Sequence, residues 1–180
     1  MLPDLAVAEP AWSPRNPDFV ARVRDNFERQ GFMGLIGAAL ETVLPGRCVL
    51  SVDYRAALTQ QHGYFHGGLI GTLADMACGY AAFTLADAET SILTVEYKLN
   101  LLEPGQGERL VADARVMRGG KRVSVCEADV WALDGPRRTR CAVALATLML
   151  LPGRSDHGPA PGTRAPNPAP ASAPPSQPAR

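Results

Sequence analysis

The sequence predicts an α+β fold in which an antiparallel sheet wraps one long central helix. Three observations lead there. Gly67 to Ala86 is a helix-length apolar run in which Asp75 is the only charged residue, and a helix that is apolar on every side belongs in a core. From Ser91 to Leu150 the apolar period changes from about 3.6 to about 2 across segments rich in Val, Leu and Thr. Short connections containing Gly and Pro separate those segments, which is the chemistry of antiparallel turns. A run of such strands covering an apolar helix curls around it.

Taken in order, Pro17 opens a stretch from Asp18 to Gln30 with Phe19, Val20, Val23 and Phe27 at helical spacing, closed by Gly31. Ile36 to Val43 and Gly46 to Tyr54 read as strands joined by a Pro45-Gly46 turn. A polar loop from Thr59 to His66 leads into the central helix. After it come strands over Ser91 to Leu102, Arg109 to Met117, Arg122 to Trp131 and Thr139 to Leu150. Their connections, Pro104-Gly105-Gln106-Gly107, Arg118-Gly119-Gly120-Lys121 and Asp134-Gly135-Pro136, read as hairpins in a meander.

Nine of the 16 prolines fall after Leu151, so that end is expected to be a disordered Pro/Ala-rich tail, 152–180. Residues 1–16 read as an N-terminal extension, leaving one domain over 17–151. Acidic and basic residues balance at 18 each without a basic block, which argues against a nucleic-acid partner. The four cysteines (Cys48, Cys78, Cys126, Cys141) lie apart in apolar contexts, as buried reduced thiols would. With Pro3, Asp4, Glu9 and Pro10 interrupting the N-terminus, no secretion signal is visible. Asp75 and the small-residue spacing fit a soluble helix better than a membrane span. A cytoplasmic protein is expected.

Asp75 is the residue to explain, because an ionised carboxylate among apolar residues is costly unless it is paired or used. Gly67, Gly71, Asp75 and Gly79 are spaced by four and form one ridge of the helix. Three of them have no side chain, so the carboxylate stands in a groove. His66-Gly67-Gly68 lies where loop becomes helix; unsatisfied N–H groups there make the Gly67 N–H a good oxyanion donor, although paired glycines also simply permit a tight helix start. Gly67 and Asp75 are eight residues, or about 12 Å, apart along a helix. One carbonyl cannot touch both. If they serve one reaction, two antiparallel helices about a two-fold axis must bring Gly67 of one subunit to Asp75 of another. His62 and His66 lack a third nearby ligand, so no metal is expected. Nucleophile-elbow, dinucleotide and phosphate-loop motifs are absent.

The pattern Gln60-x5-His66-Gly67-Gly68-x6-Asp75 resembles the hotdog-fold acyl-CoA thioesterases of the phenylacetate-degradation type. The likeness extends through Tyr80-Ala81-Ala82, Thr94-Val95-Glu96-Tyr97-Lys98 and Leu101 to Gly105, covering roughly Phe19 to Leu150. The resemblance implies that the Gly67 N–H polarises the thioester carbonyl and that Gln60 helps hold carbonyl or water. It makes Asp75 the base or nucleophile facing the partner subunit's glycine, and places Thr94 beside the attacking water. Members with a Thr one turn after the acid find Gly79 here. His66 would orient the loop through hydrogen bonds, and His66 and Gly68 are expected at the substrate-binding site. The turn at Gly119, Gly120 and Lys121 resembles the place where coenzyme A phosphates are held, though it also reads as an ordinary hairpin turn.

The expectation is thus an acyl-CoA thioesterase working without metal or redox cofactor. Its partners would be the acyl-CoA substrate and further copies of itself: a homodimer at minimum, and a dimer of dimers, with no nucleic acid and no membrane. A hotdog enoyl-CoA hydratase or dehydratase using His66, and a non-catalytic acyl-CoA-binding protein, are the rival readings.

Overall fold

The structure, a computed structural model, describes residues 11–154 and Asp156. Helix α1 (Phe19–Glu28) is followed by a second short helix, α2 (Gly31–Ile36), before strands β1 (Ala38–Leu44) and β2 (Arg47–Asp53). The central helix α3 is Gly67–Phe83, and the remaining strands are β3 (Thr90–Leu101), β4 (Arg109–Gly119), β5 (Val123–Asp134) and β6 (Arg137–Pro152). Gly31 therefore opens a helix rather than ending one. Burial of Met33 and Ile36 outweighs the poor helix propensity of Gly31 and Gly34. The glycine that stops this segment is Gly37, whose φ of 69° closes α2 in the left-handed conformation.

The six strands form one antiparallel sheet in the order β1-β2-β4-β5-β6-β3. The expected meander is corrected in one place: β3 pairs with β6 and forms an edge, so Pro104–Gly107 is not a hairpin turn. Residues 102–108 instead cross from that edge to β4 in the middle of the sheet. Gly107 permits the crossing, because a Cβ there would lie 2.2 Å from the Leu133 carbonyl oxygen. The same crossing segment binds the start of α3, with the Phe65 N–H donating to the Gly105 carbonyl at 2.8 Å. The turns at 45–46, 119–122 and 135–136 do join neighbouring strands.

The sheet curls around α3, which touches β2 through β6. Small residues make the close approach feasible: the buried sheet face carries Ala112, Ala114, Ala128, Ala132, Ala142 and Ala146, opposite Ala74, Ala77 and Ala81 of the helix. Leu69, Leu73, Leu110 and Leu148 fill the remaining volume. On the outer sheet face, cross-strand ion pairs such as Arg47–Asp113 and Arg115–Glu127 replace the apolar period. Among the described residues no helix is long and apolar enough to cross a membrane.

The packed region runs beyond 17–151 at both ends. Trp12 packs on the core, and its ring lies where a Cβ on Gly46 would be. Asp156 is held by Arg22. Pro152, expected in the tail, ends β6, and Gly153 and Arg154 follow it, while Ser155 and residues 157–180 lie outside the described residues.

Candidate active site

The helix read as apolar on all sides is not buried on all sides. Gly68, Thr72, Asp75, Met76 and Gly79 make a stripe along α3 that is only half-buried or exposed in the single chain. The glycine ridge shares Asp75 and Gly79 with it, and β3 passes antiparallel over that ridge. Leu101 abuts Gly67, and Tyr97 and Leu99 abut Gly71, each about where a Cβ would begin to crowd. Farther along, the Thr94 hydroxyl donates to Asp75 Oδ1 at 2.8 Å. Around Gly79 there is open space.

The Thr94 contact depends on a bulge. Pairing of β3 with β6 slips between Thr94 and Glu96, leaving Val95 without a partner, and such an extra residue re-aims its neighbours. Asp75 feels two opposed influences: burial raises its carboxyl above the usual carboxylate range, and the Thr94 hydrogen bond lowers it. The net shift is upward, in the direction that makes a carboxylate a better base. Its second oxygen accepts no hydrogen bond among the described residues, and Asp75 faces a cavity of about 210 Å³.

At the start of α3, His66 is the N-cap. Its Nδ1 accepts the Gly68 N–H at 2.9 Å, which puts the imidazole proton on Nε2 and satisfies one of the helix's free donors. The Gly67 N–H makes no hydrogen bond among the described residues. Gln60 sits in a turn closed by Gly63, and its Oε1 accepts the His62 N–H at 2.6 Å, leaving the amide NH₂ as the end able to donate. Gln60 and Gly67 line a second, more open cavity of about 460 Å³ with Leu101 and Gly105.

The expected site residues therefore fall into two groups. Gln60 and Gly67 share one cavity, and Asp75 and Thr94 share another. The turn at Gly119–Lys121 joins neither. Gly119 pairs with Ser124, Ser124 with Leu148 and Leu148 with Thr94, so the turn lies three strands, about 14 Å, from Thr94. The Gly120 N–H is already donated to the Val123 carbonyl, and Trp12 packs against Gly119. Of the three, exposed Lys121 keeps a donor that could meet phosphate.

Sequence reasoning missed part of the Asp75 cavity. Asn26 of α1 and Gln30, the residue that caps the start of α2, line it with Tyr80, whose hydroxyl accepts from Gln30 Nε2 at 2.6 Å and donates to Asn26 Oδ1 at 3.0 Å. Nothing local in the sequence around Asn26 and Gln30 marks these polar side chains as cavity residues; only the packing of that segment near α3 does. All four cysteines are free and buried. Burial pushes the Cys48 and Cys126 thiols up to about 12 and Cys141 to about 11, and raises Cys78 as well, so none is poised as a thiolate. No group of three or more His, Cys, Asp or Glu among the described residues could hold a metal ion.

An antiparallel sheet curled on a central helix, with an acid at mid-helix and a glycine pair at its start, defines a hotdog-fold protein of thioesterase type. Residues 62–138 match the thioesterase superfamily. A thioesterase family protein from Silicibacter pomeroyi has a crystal structure similar to this chain, with a TM-score of 0.74 and 44% identity over 75% of this chain and 99% of that one. The chain belongs to the thioesterase superfamily. It is also similar to the medium/long-chain acyl-CoA thioesterase YigI of Escherichia coli, 30% identical over 47% of this chain and 61% of that protein. The E. coli PaaI protein of the phenylacetic acid degradation operon shares the fold, with a TM-score of 0.68 at 19% identity over 77% of this chain and 97% of that one.

Proposed function

We propose that this protein hydrolyses acyl-CoA thioesters to free acid and coenzyme A, in a homodimer whose two sites are each built from both subunits. The carrying observation is the division of the polar groups: Gln60 and Gly67 in one cavity, Asp75 and Thr94 in another, about 12 Å apart along one helix. Neither half is a complete thioesterase site, because one has oxyanion donors without a base and the other has a base without them. A two-fold axis that sets two copies of α3 antiparallel joins the halves.

The chain carries a surface suited to that contact. Edge strand β3 exposes Leu93, Val95, Tyr97 and Leu101, and an exposed apolar edge is a template for pairing with another chain. On the outer sheet face Met117, Leu145 and Met149 are also exposed, which suits a dimer of dimers.

In the composite site the thioester oxygen takes the Gly67 N–H and the Gln60 amide. Asp75 removes a proton from water as it attacks the carbonyl carbon, and collapse of the tetrahedral oxyanion expels the coenzyme A thiolate. Thr94 holds Asp75 in place. His66, with Nδ1 committed to the Gly68 N–H, positions the oxyanion donor, which speaks against the hydratase role. Lys121 is assigned to the phosphates of coenzyme A. Thiol release across a panel of acyl-CoA esters, read with a thiol-reactive dye beside an enoyl-CoA hydration assay, tests the reading. Tight binding without thiol release, or hydration in its place, would overturn it.

A further inference from the structure

The Asp75 cavity ends on a residue from beyond the matched segment. We propose that Asp156, clamped by Arg22, is the end wall of this cavity and sets the upper length of the acyl group the protein accepts. The inference rests on reading the cavity as the acyl site.

Asp75 and Thr94 mark one end of the cavity and Phe83 the other. Phe83 lies two helical turns past Asp75, eight residues or about 12 Å along α3. Gly79, between them, leaves the groove open. At the far end Asp156 lines it, held there by Arg22. The guanidinium stacks over the Phe83 ring, 4.2 Å from its centroid, and donates to the Asp87 carbonyl at 2.6 Å and the Thr90 carbonyl at 2.8 Å. Its Nε and second terminal nitrogen both donate to Asp156 Oδ2, at 2.8 and 2.6 Å. Arg29 holds the Asp156 carbonyl at 3.1 Å.

This wall is stiff and polar. The two side chains are only 15% and 10% exposed, and separating a buried ion pair leaves an uncompensated charge. The remaining oxygen, Asp156 Oδ1, is buried and accepts no hydrogen bond among the described residues. An alkyl chain end pressed against this charged pair offers it neither donor nor acceptor, so contact there brings no polar gain. With bonds of about 1.5 Å, a zigzag chain starting at Asp75 reaches the wall within roughly ten carbons. Longer saturated chains must break the clamp or stay outside.

The experiment measures kcat/KM for straight-chain acyl-CoAs from hexanoyl to hexadecanoyl on the full chain, on Asp156→Leu and on Asp156→Ala. It also measures the affinity of the matching S-alkyl-CoA thioethers, which cannot be hydrolysed. The wild type should fall off beyond roughly ten carbons, and Asp156→Leu should raise the hexadecanoyl-to-octanoyl ratio by about tenfold or more. A ratio within about twofold of wild type in both folded variants would overturn the proposal. So would a wild-type thioether series with no break in affinity, which decides the matter even if neither variant folds. The two readings fail separately: a length limit in thioether binding with no thiol release refutes hydrolysis and keeps the wall, whereas thiol release with a flat length profile does the reverse.

Discussion

Mixing two inactive variants separates a site shared between subunits from one contained in a chain. Asp75→Asn removes the base while keeping the shape that accepts the Thr94 hydroxyl. Gly67→Val fills the space above the oxyanion donor, where even a Cβ would sit 3.2 Å from the Leu101 methyl. That neighbour is the tip of a flexible side chain, so the variant should fold while the carbonyl oxygen is kept away. Each variant alone is expected to lose on the order of 10² or more in turnover. After denaturation and refolding of an equal mixture, about half the dimers are hybrids. In a hybrid, one site carries both lesions and the other carries none. Thus about a quarter of all sites are intact, and specific activity should return to about a quarter of wild type. A site within one chain would keep a lesion in every copy and recover nothing. The assay is thiol release from a good acyl-CoA substrate, with subunit exchange verified by native mass spectrometry. Absence of recovery between folded variants that exchange, or a monomer on gel filtration, would refute the shared site.

Further predictions concern the acid and the helix start. Because burial raises the folded carboxyl of Asp75 above its unfolded value, the stability it contributes is present at low pH and is lost as pH rises through the folded value. Asp75→Asn should therefore melt higher than wild type at neutral pH, with the gap closing in acid; a lower Tm at neutral pH would show that the charge stabilises the fold. In Thr94→Val the lost hydrogen bond should move the acid limb of kcat/KM to higher pH and cut kcat by roughly tenfold. An unmoved limb would separate Thr94 from Asp75. His66→Ala removes the side-chain cap of α3 and should cost about 1 kcal/mol in urea denaturation, the usual value of an N-cap; no loss would mean that solvent caps the helix equally well.

How much of this was legible beforehand follows from the range of each interaction. The central helix could be read because its apolar run and its His66-Gly67-Gly68 start are local, as could the ridge that places Asp75 among glycines, since side-chain direction in a helix follows from spacing alone. The separation of Gly67 from Asp75 is likewise a property of helical rise, which is why a two-subunit site could be argued from the chain itself. The path of β3 could not. Gly and Pro mark where a chain turns and say nothing of which strand lies alongside, so Pro104–Gly107 looked like a hairpin although β3 pairs with β6. That pairing, with its bulge at Val95, brings Thr94 to Asp75. The placement of Asn26, Gln30 and Asp156 at one cavity likewise joins two regions of sequence far apart in the chain. Their side chains carry no periodic or motif signal, and only the closing of α1 and the end of β6 onto α3 gives them a common surface.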